Sequence, residues 1–88
     1  MTNLYIYCLF DTAQNFKGVY SSLKAVHRDA LKMANRGNSS VRLFTEEHSP
    51  HAATLLTLRN LLKGKCDTHV TYRTDRSIVT IYKTRIKE

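Results

Sequence analysis

The sequence contains few of the residues that interrupt or cross-link a chain. It has one proline, three glycines, two cysteines and no tryptophan in 88 residues. So little glycine and proline leaves most of the chain able to form helices and strands. Two cysteines are too few for the disulfide framework of a small secreted domain. We therefore expect a cytoplasmic protein whose Cys8 and Cys66 are unpaired thiols.

Long apolar runs are also missing. The longest dense run, residues 4–10, has seven residues, whereas a membrane span needs about 20. No basic segment precedes this run and no small-residue cleavage pattern follows it. We expect neither a membrane span nor a secretory signal.

Acidic residues are scarce, and this is the most informative feature of the composition. Seven Asp and Glu stand against 14 Lys and Arg, which gives a net charge of +7. Such a charge bears on partners rather than on fold and points to a polyanionic one. The length and the 42% apolar content fit one compact domain over residues 1–88. A domain this small has modest stability, which a homodimer would increase.

Hydrophobic periodicity predicts the element order β(β)αβαββ. Ser21 and Ser22 offer an N-cap for a first helix at 22–36, which Gly37 and Asn38 would end. Ser49 and Pro50 predict the start of a second helix at 50–63. The predicted strands are residues 3–10, 16–20 (a short return arm), 40–45, 68–73 and 77–86.

This order predicts a two-layer α+β sandwich with two helices packed on a mainly antiparallel sheet. The first strand is apolar on both alternating faces, so we expect it near the middle of the sheet, covered on both sides. The C-terminal hairpin is rich in Thr, Arg and Lys, so we expect it toward an edge.

The first predicted helix carries a basic stripe. Lys24, Arg28, Lys32 and Arg36 stand four residues apart, and the stripe spans about 18 Å at the helical rise. Only Asp29 offers a carboxylate nearby. The stripe is interpreted either as a partner-binding surface or as the solvated face of an amphipathic helix.

A second basic cluster lies in the C-terminal third. Residues 59–88 include eight basic and three acidic residues. Tyr72 and Tyr82 are interleaved with them and suit either base stacking or the core face of the sheet, and we favour the core face. The candidate partner-binding residues of this cluster are Arg73, Arg76, Lys83, Arg85 and Lys87.

Metal binding and catalysis have little support in the sequence. The Cys66–His69 and His48–His51 spacings do not pair into a four-ligand zinc site, so we expect no metal and no cofactor. His27, His51 and His69 on a basic background keep a small metal-independent ribonuclease as a third possibility. For His27 we favour a hydrogen-bonded position at the edge of the core.

The N-terminal third resembles a family of small proteins. The stretch Tyr5-Ile-Tyr-Cys-Leu-Phe-Asp, followed by Asn15-Phe-Lys-Gly-Val-Tyr-Ser-Ser-Leu-Lys-Ala-Val-His-Arg-Asp-Ala, resembles the opening of accessory proteins of tailed bacteriophages. The resemblance implies a small early protein that binds and redirects a host component in an infected bacterium. The resemblance implies no catalytic residues in this chain.

These observations predict a non-enzymatic regulatory protein that binds a polyanionic surface, most simply nucleic acid. The alternative is an inhibitor or modulator that binds an acidic patch on a host enzyme.

Overall fold

The computed structural model describes residues 4–35, 40–45 and 49–86. Two helices pack on a six-stranded antiparallel sheet, so the predicted α+β class is confirmed. The elements in chain order are β1 (Tyr5–Phe10), β2 (Phe16–Tyr20), α1 (Leu23–Ala34), β3 (Arg42–Phe44), β4 (Pro50–Ala52), α2 (Leu55–Leu62), β5 (Thr68–Arg73) and β6 (Ile78–Arg85).

The strand order in the sheet is β2-β1-β6-β5-β3-β4. The predicted edge position of the C-terminal hairpin is wrong, because β5 and β6 are the two central strands. Their inward side chains Val70, Tyr72, Val79 and Ile81 are almost completely buried. Burial of these side chains outweighs the polar composition that suggested an edge.

The β1–β2 hairpin supports the predicted return strand. Asp11 closes its loop, because the Asp11 side chain accepts a hydrogen bond from the Asn15 amide at 2.8 Å. Gln14 takes a left-handed backbone conformation in the same loop. Strand β1 is interior, paired with both β2 and β6.

Helix α1 begins where its sequence predicts. Ser22 is the N-cap, and its hydroxyl accepts from the Ala25 amide at 3.2 Å. The helix ends at Ala34, with Asn35 as C-cap, two residues before the end predicted at residue 36. The predicted glycine cap at Gly37–Asn38 lies outside the described residues.

The start predicted for the second helix is wrong. Residues 50–52 form the edge strand β4, which pairs with β3 through Phe44 and Pro50. Helix α2 begins at Leu55, five residues after Pro50, with Thr54 as N-cap accepting from the Thr57 amide at 3.1 Å. Proline is tolerated on an edge strand, where its missing N–H removes no ladder bond.

The sheet has two unlike faces. Its core face carries Leu9, Leu43, Val70 and Ile81 against α1 and α2, which also contact each other. Among the described residues, no helix packs on the other face, which we call the open face. The expectation that β1 is covered on both sides is therefore wrong, since both helices lie on the core face. Within the described residues, no helix is long and apolar enough to cross a membrane.

Candidate polyanion-binding surface

The outward side of α1 carries three exposed cations. Lys24, Arg28 and Lys32 are all exposed, because Val26, Ala30 and Ala34 direct the opposite side of the helix into the core. Lys24 and Lys32 are eight residues apart, or about 12 Å along the helix axis. Arg36, the fourth residue of the predicted stripe, lies outside the described residues.

The one acidic residue of α1 is held by internal contacts. The Tyr20 hydroxyl donates to Asp29 Oδ2 at 2.6 Å, and Arg28 Nε lies 3.4 Å from Asp29 Oδ1. The bond from Tyr20 is the main reason why the pKa of Asp29 lies below its ordinary value. Asp29 is thus ionised at neutral pH and offsets part of the charge of Arg28, while Lys24 and Lys32 have no ion pair within the described chain.

The second helix extends the basic surface. Arg59 on α2, Lys63 at its C-cap and Lys65 just beyond are exposed, and α2 contains no acidic residue. Gly64 turns the chain between the two lysines in a left-handed conformation, with φ of 71°. These three residues belong to the C-terminal basic cluster of the sequence, and α2 contacts α1 on the same face of the sheet. We define the helix-layer surface as the exposed cations of both helices and the turn after α2: Lys24, Arg28, Lys32, Arg59, Lys63 and Lys65.

A depression on this surface has the character of an anion site. It has a volume of about 340 Å³ and is lined by Arg28, Leu31, Lys32 and Asn35. Two cations and one amide on a shallow apolar floor suit a phosphate group that stays in contact with water. A larger depression of about 480 Å³ lies beside Asp11 and Lys17. Those two charges stand 3.5 Å apart and offset each other, so that depression offers no net charge.

The predicted C-terminal cluster does not form one surface. Arg76 is exposed in the β5–β6 turn and Arg85 is exposed at the end of β6. Arg73 is half-buried on the open face, where its guanidinium lies 4.9 Å from the centre of the Phe44 ring and donates to Thr71. Lys87 lies outside the described residues.

Lys83 requires a correction, because it is buried rather than exposed. Its ammonium donates to the Leu62 carbonyl at 2.8 Å and lies 4.4 Å from the centre of the Tyr5 ring. Only 7% of the residue is exposed. These internal contacts occupy the charge, so Lys83 is left out of the surface proposed below.

The two candidate tyrosines lie on opposite faces. Tyr72 is in the core, as expected, and its hydroxyl contacts His27 Nδ1. Tyr82 is on the open face, where its hydroxyl donates to Asp67 at 3.2 Å, so the expectation that it faces the core is wrong. Strand alternation explains the difference, since Tyr82 pairs with His69 and not with Val70.

The histidines and cysteines do not form a reactive cluster within the described residues. His27 lies on the core side and His69 on the opposite face of the sheet. Cys8 and Cys66 are half-buried, unpaired thiols. No group of three His, Cys, Asp or Glu side chains in the described ranges is arranged to hold a metal ion.

No protein-family model matches the chain, and no curated protein or solved structure is significantly similar to it. The resemblance to phage accessory proteins therefore stays a prediction.

Proposed function

We propose that the protein is a non-enzymatic regulatory binder that engages a polyanion, most simply nucleic acid, through the helix-layer surface. The observation that carries this proposal is the charge imbalance of that surface. Six exposed cations lie on α1, on α2 and just after α2, and the one carboxylate of the two helices is already bonded to Tyr20 and paired with Arg28.

Several cations must act together in such a surface. One exposed ion pair contributes at most about 1 kcal/mol, but each phosphate contact also releases a condensed counterion from the nucleic acid. The depression between Arg28 and Lys32 gives one phosphate a defined position. Lys24 and Arg59 are available for neighbouring phosphates. Binding of this kind is to the sugar-phosphate backbone of the nucleic acid and has little preference for its base sequence.

The cellular setting belongs to the same proposal. In the context that the phage resemblance implies, the polyanion would be phage or host nucleic acid in the cytoplasm of an infected bacterium. An acidic host protein is the competing partner, and the experiment separates the two.

The test is a fluorescence anisotropy titration of labelled single-stranded and duplex oligonucleotides across a salt series. For the parent protein we expect log K to fall linearly with log salt, with little dependence on sequence. The double variant Arg28→Glu/Lys32→Glu is expected to bind at least about tenfold more weakly and to show a shallower salt slope.

The matched control is Arg42→Glu/Arg76→Glu. It changes the net charge by the same four units at exposed positions outside the helix layer. We expect it to reduce affinity by less than about threefold, because charges beyond a Debye length of about 10 Å are screened. Equal losses in the two variants would assign binding to overall charge and overturn the helix-layer site. Capture of one stoichiometric acidic protein from a nuclease-treated lysate, with no oligonucleotide binding, would overturn the nucleic-acid proposal.

A further inference from the structure

Within the part of the chain that the structure describes, most of the exposed large hydrophobic residues lie on the open face. Six large hydrophobic residues are exposed among those described, and only Leu56 belongs to a helix. The other five lie on the open face. Three belong to β2 or β6, and two lie one residue beyond the end of β1 or β6. They are Leu4, Phe16, Val19, Ile78 and Ile86.

The open-face positions of β1, β2 and β6 carry no charged residue; the Asp67 carboxylate lies at the margin of this area, where it accepts hydrogen bonds from Tyr82 and Thr84. The register pairs Cys8 with Val19 on one side and with Tyr82 on the other, so these side chains share a face. Depletion of charge in a chain with 21 charged residues is the composition of an interface centre rather than of a solvated surface. The open-face residues of these three strands are Leu4, Ile6, Cys8, Phe10, Phe16, Val19, Ile78, Thr80, Tyr82, Thr84 and Ile86.

We propose that this neutral part of the open face binds a second copy of the chain and forms a symmetric dimer. The inference is independent of the nucleic-acid proposal, because it uses the opposite side of the molecule. A polyanion requires cations among the contacts, and these eleven residues supply none. A second copy presents the same neutral surface.

The distribution of charge is compatible with dimerisation of a chain that carries +7. Packed sheets stand about 10 Å apart, and each copy places its helices on the side away from the contact. The two helix-layer surfaces are then separated by more than a Debye length of about 8 Å at physiological salt, so their repulsion is screened.

The register provides a specific self-complementary arrangement. Phe10 is level with Phe16 on β2 and with Thr80 on β6. A two-fold axis parallel to β1 brings β2 of each copy over β6 of the other, and Phe16 over Thr80. A shallow depression of about 410 Å³, lined in part by Phe10, Ile78, Thr80 and Tyr82, is positioned to receive that phenyl ring.

The area of the proposed contact face indicates how tightly the two copies should associate. Three strands about 4.8 Å apart and about 20 Å long give a contact face of about 290 Å² per copy in projection. This area is smaller than that of standard specific interfaces, so we expect a weak, reversible dimer with a dissociation constant of about 100 µM.

Sedimentation equilibrium over a concentration series tests the proposal with three single variants. Phe16→Lys and Val19→Lys place a charge in the interface and are expected to weaken the dimer at least about tenfold. Leu56→Lys is the control. Leu56 is about as exposed as Val19, at 65% against 56%, but it lies on α2 and not on the open face. We expect Leu56→Lys to dimerise like the parent. Circular dichroism is the check that each variant is folded.

A mixing experiment tests the geometry. Phe16→Lys and Thr80→Asp should each be monomeric alone, and their mixture should recover a heterodimer because the introduced lysine faces the introduced aspartate. A parent protein that stays monomeric up to about 500 µM overturns the proposal. So does a dimer that Leu56→Lys disrupts and Val19→Lys does not.

Discussion

His27 Nδ1 lies 2.5 Å from the hydroxyl of Tyr72, in a half-buried contact that joins α1 to β5. Burial lowers the pKa of His27 and raises that of Tyr72 above its ordinary value. Both groups are therefore neutral at pH 7, and one donates the hydrogen bond that the other accepts. The contact adds a polar link between α1 and the sheet to the packing of Val26, Ala30 and Ala34 in the core.

We expect His27 to make folding stability depend on pH. Its pKa in the folded state lies below the ordinary value of 6.5, so the unfolded chain binds more protons as the pH falls. The stabilising contribution is complete above about pH 6.5 and decreases as the pH drops toward the folded pKa. Urea unfolding at several pH values measures this slope. His27→Asn should flatten it, and an unchanged slope would contradict the assignment.

The buried ammonium of Lys83 should contribute to stability rather than to binding. Lys83→Met keeps the aliphatic stem but removes the charged donor from the Leu62 carbonyl at the negative end of the α2 dipole, which keeps only its bond from the Lys65 amide. We expect a loss of about 1–3 kcal/mol in the free energy of unfolding. The control Arg85→Met changes an exposed residue of the same strand and should cost less than about 0.5 kcal/mol. Equal unfolding midpoints for the two variants would show that the Lys83 contacts contribute nothing.

The N-cap of α2 can be located by two alanine substitutions. Thr54→Ala removes the hydroxyl that accepts from the Thr57 amide and should cost about 1 kcal/mol. Ser49→Ala should be close to neutral, because Ser49 is exposed just before β4. Thermal unfolding of both variants measures the difference. A larger loss for Ser49→Ala would restore the helix start that the sequence predicts.

The sequence by itself determined the class of fold and the local signals that act within a few residues. The period of α1, its Ser22 cap and its exposed cations follow from side chains within one helix, where neighbours along the chain decide the structure. The C-terminal hairpin follows from two strand-forming segments joined by a short polar turn. The excess of positive charge is likewise a property of the composition.

Tertiary structure decided everything that depends on which strand lies beside which. Pro50 reads locally as the first residue of a helix, but pairing with β3 makes residues 50–52 an edge strand. Lys83 and Tyr82 are adjacent in the sequence, and the central position of β6 buries one beneath α2 and places the other on the open face. The same topology brings Arg59 and Lys63 into the helix layer with α1. Long-range pairing and burial contribute more free energy than local propensity, and a single sequence does not reveal them.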